Sequence, residues 1–260
     1  MTRWGHVAWV FGLLLSGKVM ALPAEVTLAS DQWCPYNCDA NSSSPGILIE
    51  LAREAWQPLG VKVNYEIMPW ARAKMLATQK GSIGLVGAGR GLDENVFVYG
   101  KVPPLVSPFC FYTAINSRWN YSGLGALSSI RLGTALGYHY DGEVGQYVEN
   151  RIKQESNLVQ PALGDTPILV NMDKLAGGRI DALLEDRLVV QHTIYRNALK
   201  VQTRESGCIT ADDTIYVVLP KQIGQSAILM DQFDKTVVAM RKDGRFQKLL
   251  AKYGVTVKGY

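Results

Sequence analysis

The chain lacks any long apolar run: its longest, Val7 to Leu15, is nine residues, against the roughly 20 that a membrane-spanning helix needs. No membrane segment is expected beyond it. Histidines are few and dispersed, at His6, His139 and His192, so no cluster presents itself as a metal site. There is no Gly-x-Ser-x-Gly elbow, which excludes the usual α/β-hydrolase nucleophile. Lys and Arg are scattered among acids without a basic run, which removes the main cue for binding a phosphate backbone. The only cysteines are Cys34, Cys38, Cys110 and Cys208. Cys34 and Cys38 are close enough to suggest a metal, but no second close pair accompanies them. An even number favours disulfides in an oxidising compartment, with three pairings open.

What is present begins with Arg3, the apolar stretch, Ser16-Gly17 and the small-residue endings at Ala21 and Ala24. This pattern reads as a secretory signal peptide cleaved after Ala21 or Ala24. No cysteine follows the apolar run to carry a lipid, so a freely soluble product is expected. Loss of Arg3 and Lys18 would lower the formal charge from +4 to +2, too little to draw nucleic acid or an anionic membrane. About 236 residues remain, and with 47% hydrophobic residues in the chain they suit one large or two medium domains.

Strand and helix patterns alternate along that remainder. Val26 to Ser30 reads as a strand, and Ile47, Leu48, Leu51, Ala52, Ala55, Trp56 and Leu59 recur at helical spacing between Pro45 and Pro58. Val61 to Ile67 alternates as a strand, Trp70 to Lys80 reads as a helix, and Ile83 to Val86 as a buried strand. Extended residues follow over Phe109 to Asn116, and a similar series restarts near Arg131 to Ala135. A helix carries Val144, Tyr147, Val148 and Ile152, and a strand lies near Leu158 to Pro161. The next helix carries Ile168, Leu169, Met172 and Leu175 and stops at Gly177-Gly178, before the strand Ile180 to Leu184. The chain returns through Ile215 to Leu219 to helices over Ser226 to Met240 and Phe246 to Tyr253. Two α/β units, with the tail completing the first, imply two lobes joined by two crossings. Parallel strands bind ligands beyond their carboxyl ends. That directs attention to Asp31 to Asn41, Gly87 to Asn95, Leu136 to Asp141, and Glu185-Asp186.

Two glycine motifs are set aside. Gly12 to Val19 approaches a phosphate-binding P-loop but has Val19 where the hydroxyl ligand belongs, and it falls in the signal peptide. Gly87 to Leu92 approaches a dinucleotide fingerprint, yet ends in Leu with no clear helix following, so close backbone approach to a ligand is the better reading.

Three segments in order then resemble a known family. They are Asp31 to Tyr36 followed by Pro45 to Ala52, Leu175 to Asp186, and Asp243 to Gly254. Over essentially the whole mature chain they are similar to the extracellular solute-binding proteins of the polar amino-acid uptake type. The resemblance implies an α/β, two-lobed periplasmic binding protein fold, each lobe a mostly parallel sheet flanked by helices, joined by two hinge crossings. It implies a signal peptide at 1–24, a first lobe from 25–108 and 220–260, and a second from 109–219 including the hinge strands. Cys34 is expected to pair with Cys38, and Cys110 with Cys208.

By that resemblance Trp33 and Tyr36 wall the solute and Asp186 accepts its ammonium group, a pairing of aromatic faces and carboxylate suited to a cation. The plain alternatives are packing around the cysteine loop for the aromatics and a helix N-cap for Asp186. Counting places Asn95 where the family carries the Arg that grips an α-carboxylate. Arg90 and Arg72 are the candidate replacements, each also readable as a surface charge. Trp70 is a candidate cleft wall or a core residue, and Gly137-Tyr138 a candidate anion-binding turn or an ordinary helix start.

The implied function is capture of a small polar solute in the periplasm by hinge closure, on behalf of an ABC permease or a membrane sensor. No cofactor, metal or catalytic residue is expected, and a monomer is. The competing reading is a periplasmic enzyme on the same fold, dehydratase-like. It has only Glu185 and Asp186 for acid/base work, and adjacent residues on a strand end face apart.

Overall fold

A computed structural model describes residues 21–197, 202–209 and 214–255; most of the expected signal peptide, residues 1–20, lies outside the described residues. These form β1 (Glu25–Ser30), α1 (Ile47–Trp56), β2 (Lys62–Ile67), α2 (Trp70–Lys80), β3 (Ile83–Ala88), β4 (Phe97–Tyr99) and β5 (Leu105–Val106). There follow β6 (Phe109–Ala114), β7 (Leu132–Ala135), α3 (Gly142–Lys153), β8 (Val159–Ala162), α4 (Pro167–Ala176), β9 (Ala182–Asp186), α5 (Arg187–Asn197) and β10 (Thr203–Cys208). The chain closes with β11 (Thr214–Pro220), α6 (Ser226–Asp243) and α7 (Arg245–Lys252). Among the described residues no helix is long and apolar enough to cross a membrane.

Two sheets result. The first runs β2-β1-β3-β11-β4, with β5 added to β11; the second runs β10-β6-β9-β7-β8. Each has a parallel half, β2-β1-β3 and β9-β7-β8, and an antiparallel half built by the strands nearest the crossings. The sheets are thus mixed, because each crossing strand re-enters from the opposite end. The chain passes between the sheets twice, from β5 to β6 and from β10 to β11. Residues 214–219, grouped by sequence with the second lobe, belong to β11, which lies in the first sheet between β3 and β4. Its apolar run is buried over Ile215 to Leu219, as a central strand with both faces covered requires.

Both expected disulfides are present, Cys34–Cys38 and Cys110–Cys208. The second ties β6 to β10, where Cys208 stands opposite Cys110. The first closes a loop that starts a helix. α1 has no side-chain cap; its Ile47 and Leu48 N–H groups donate to the carbonyls of Pro35 and Tyr36, each at 2.9 Å. These bonds satisfy donors that a helix start leaves open. Gly46 permits the approach: its φ is 121°, and a Cβ there would stand 2.4 Å from the Tyr36 carbonyl oxygen. With that end fixed, the apolar face of α1 is buried from Ile47 to Trp56, and the Trp56 indole donates to the Leu229 carbonyl of α6 at 2.9 Å. The Cys34–Cys38 loop is thereby held in place and projects Trp33 toward the second sheet.

Candidate functional site

Three of the four loops singled out by strand polarity meet at one cavity between the sheets. The loop after β1 brings Asp31 and Trp33, the loop after β3 brings Gly87, Gly89, Arg90 and Leu92, and the loop after β7 brings Tyr138, His139 and Asp141. α2 adds Trp70 and Lys74 from its first turns, and the crossing into β6 adds Ser107 and Phe109. Trp70 and Lys74 share a helix face because they are four residues apart.

Asp31 is the polar centre of this cavity. Only 2% exposed, it accepts the Ser30 hydroxyl at Oδ1 (3.1 Å) and the Tyr138 hydroxyl at Oδ2 (2.7 Å). Burial pushes its carboxyl up to about 6 against these hydrogen bonds, since a charge withdrawn from water is disfavoured. Burial, with Asp31 alongside, raises the Tyr138 hydroxyl well above its ordinary range, so it remains a donor. Burial also lowers the Lys74 ammonium, which donates to the Gly137 carbonyl and lies 6.0 Å from the centre of the Trp70 ring. At one wall Arg90 is held between the rings of Tyr99 and Tyr216, at 4.9 and 4.7 Å. It donates to the Tyr216 hydroxyl at 3.1 Å and to Glu94 at 3.3 Å. At another, His139 Nε2 lies 3.0 Å from Asp141 Oδ1.

The fourth loop lies behind the cavity. Glu185 Oε1 accepts the Trp33 indole N–H at 2.8 Å and the Asp186 backbone N–H at 2.8 Å. Asp186 Oδ1 accepts the Tyr36 hydroxyl at 3.0 Å and the backbone N–H groups of Leu188 and Val189 at 2.8 and 3.0 Å. Asp186 is wholly buried, and the carboxylate expected to meet a solute is instead the N-cap of α5. Tyr36 is likewise wholly buried, on Asp186. Burial lifts Glu185 to about 8 and Asp186 to about 6.

Of the other expected site residues, Trp33, Trp70, Arg90 and Tyr138 line the cavity. Arg72 is exposed on α2, two positions and about 200° around the helix from Trp70. The Gly137 carbonyl accepts the Lys74 ammonium. Asn95 is exposed, with its N–H on Asp93 Oδ1 at 2.8 Å. The glycine-rich loop admits protein as well as cavity: a Cβ on Gly87 would stand 3.1 Å from the Trp33 ring, and one on Gly91 2.9 Å from His139. Asp31, Lys74, Ser107, Phe109, His139 and Asp141 were not singled out. Asp31, His139 and Asp141 lie in loops that follow strands, and the signal for Lys74 would have been its four-residue spacing from Trp70. Cys110, Glu205 and Cys208 lie together, but the two sulfurs are bonded to each other and offer no thiolate to a metal.

No protein-family model matches the chain, and no curated protein does. Among solved structures it is similar to an ancestral arginine-binding protein bound to arginine, at 20% identity over 89% of this chain and 99% of that one, with a TM-score of 0.68. It is similar to a histidine kinase sensor domain with similarity to periplasmic binding proteins, at 18% identity, 88% and 95% coverage and a TM-score of 0.68. A third is an amino acid ABC transporter substrate-binding protein from Streptococcus pneumoniae bound to L-arginine, at 19% identity, 88% and 93% coverage and a TM-score of 0.67. The chain has the two-lobed periplasmic binding protein fold.

Proposed function

We propose that this chain captures a small cationic solute between its lobes and presents it to a membrane partner, an ABC permease or a sensor. The observation that carries this reading is the buried Asp31 carboxylate, walled by aromatic rings from both lobes at the carboxyl ends of parallel strands. A cation suits that setting on both counts. The lobes that would close are 25–106 with 214–255, and 109–208. Amino-acid-binding and sensor proteins among the structural neighbours support the reading, and two disulfides support an oxidising compartment such as the periplasm. Glu185 and Asp186, the pair on which the dehydratase-like reading rested, are engaged with Trp33, Tyr36 and α5 behind the cavity, which favours binding.

A thermal-shift screen of polar amines and amino acids tests the proposal. A true solute at about 100 times its Kd stabilises by roughly 2.7 kcal/mol, or about 5–10 °C for a protein of this size. Asp31→Asn should then weaken that solute by about 2–5 kcal/mol, roughly 30-fold to several-thousand-fold. Equal affinity in the variant, or no stabilising compound in the screen, would overturn it.

A further inference from the structure

We infer that the cationic group received here is alkylated, a tertiary or quaternary ammonium, in place of the primary ammonium of a common amino acid. This rests on the capture function proposed above and concerns the same cavity. The first ground is the supply of acceptors. A primary ammonium brings three N–H donors, and each must find an acceptor once water is gone. Asp31 already accepts at both oxygens, from Ser30 and Tyr138. The Gly89 carbonyl on the same wall accepts the Tyr99 hydroxyl at 3.0 Å, and the Gly137 carbonyl beneath Tyr138 accepts Lys74. Asp141, the other carboxylate on the wall, stands 3.0 Å from His139. Each acceptor named here is already shared with a protein donor, so three further N–H groups would compete for the remaining lone pairs, whereas an alkylated cation asks for fewer or none.

The second ground is the arrangement of rings. Tyr138 stands edge-on to Trp33 at 6.1 Å and 83°, and edge-on to Trp70 at 6.5 Å and 81°. Two indoles set nearly square to one phenol make three walls of a box that also contains Asp31. Ring faces attract a cation through their quadrupole and ask for no N–H donor, which is the way quaternary ammonium groups are held. N-methyl groups also fill apolar space that an ammonium would leave to water. Trp33 is fixed in its place by its bond to Glu185 and by the near-parallel Phe109 ring at 6.1 Å, both from the other lobe, so the box is complete when the lobes are together.

The test is calorimetric titration of the full chain with tetramethylammonium, glycine betaine, glycine and L-arginine, each also against Trp70→Leu and Trp70→Phe. Glycine betaine should bind at least about 100-fold tighter than glycine, and tetramethylammonium should bind measurably. Trp70→Leu should weaken both methylated probes roughly tenfold or more, and Trp70→Phe, which keeps an aromatic face, should restore most of the loss. An unchanged melting temperature for Trp70→Phe shows that the fold is intact in that comparison. Glycine or L-arginine binding in an Asp31-dependent way, with the methylated probes failing, would overturn the alkylated class and leave cation capture standing. Failure of every probe together with an empty amine screen would overturn both.

Discussion

Asp186 serves three donors with a single oxygen: the Tyr36 hydroxyl and the N–H groups that open α5. Asp186→Asn keeps an acceptor oxygen for them, whereas Asp186→Ala removes the bond from the Tyr36 hydroxyl and uncaps the helix. Loss of a cap costs about 0.5–2 kcal/mol, and loss of one hydrogen bond about 0.5–1.5 kcal/mol. Thermal unfolding should therefore show Asp186→Ala lowered by several degrees and Asp186→Asn near the parent, with solute affinity in the Asn variant within a few-fold. A large loss of affinity in a stable Asn variant would return Asp186 to the binding role. Strand polarity made the loops that line the cavity legible in the sequence, and with them Trp33, Arg90 and Tyr138. It did not reveal which way each side chain points. Asp186 and Tyr36 turn toward each other because α5 and its open N–H groups lie behind β9, and nothing in a linear sequence states that distance.

At the scale of elements, the two disulfides hold different things. Cys34–Cys38 closes a short loop whose carbonyls also open α1, while Cys110–Cys208 spans 98 residues and fastens β10 to β6. The chain-entropy account gives roughly 2 kcal/mol for a loop of about five residues and about 4.7 kcal/mol for one near 100. Paired Cys110→Ala and Cys208→Ala changes should lower the melting temperature by more than paired Cys34→Ala and Cys38→Ala changes. The reverse order would mean that the short loop stabilises through α1 more than through its closure. Helices with a clear apolar face, such as α1 and α2, were readable to within a few residues. β10 was not, since Thr203 to Cys208 carries the sequence TRESGC and has neither alternation nor apolar content. It is a strand because β6 offers it an edge and a covalent bond holds it there. β4 and β5 are three and two residues long, too short to leave a pattern.

For the molecule as a whole, the contact between lobes runs through acids kept out of water. Tyr138 on Asp31, Trp33 on Glu185 and Tyr36 on Asp186 each cross from one lobe to the other, joined by Gln32 N–H on the Asp165 carbonyl at 2.7 Å. Burial raises these three acids to about 6, about 8 and about 6. Each binds its proton more tightly folded than unfolded, so the stability it contributes is complete below about pH 4 and declines as pH rises through 6 and then 8. Thermal unfolding should give a higher midpoint near pH 5 than near pH 9. Glu185→Gln keeps the oxygen that Trp33 and the Asp186 N–H use and removes the charge, so it should raise the midpoint by several degrees at pH 9 and change it little at pH 5. A flat profile in the parent protein would contradict this. The two-lobed outline was legible because the α/β series repeats, yet the clasp was not, since its side-chain bonds join residues 107 to 152 positions apart.

The position of β11 has a consequence for the order in which the molecule can be made. A ribosome delivers residues from the amino end, and the second sheet is contiguous, complete once Cys208 has emerged. The first sheet must wait, because β11 enters between β3 and β4 and supplies the partner that β5 pairs with. The half of the molecule that begins first therefore finishes last. Until residues 214–220 arrive, β3 shows a bare apolar edge, and a nascent chain halted before them holds one finished lobe and one unfinished lobe, the state in which a chaperone would find most to bind.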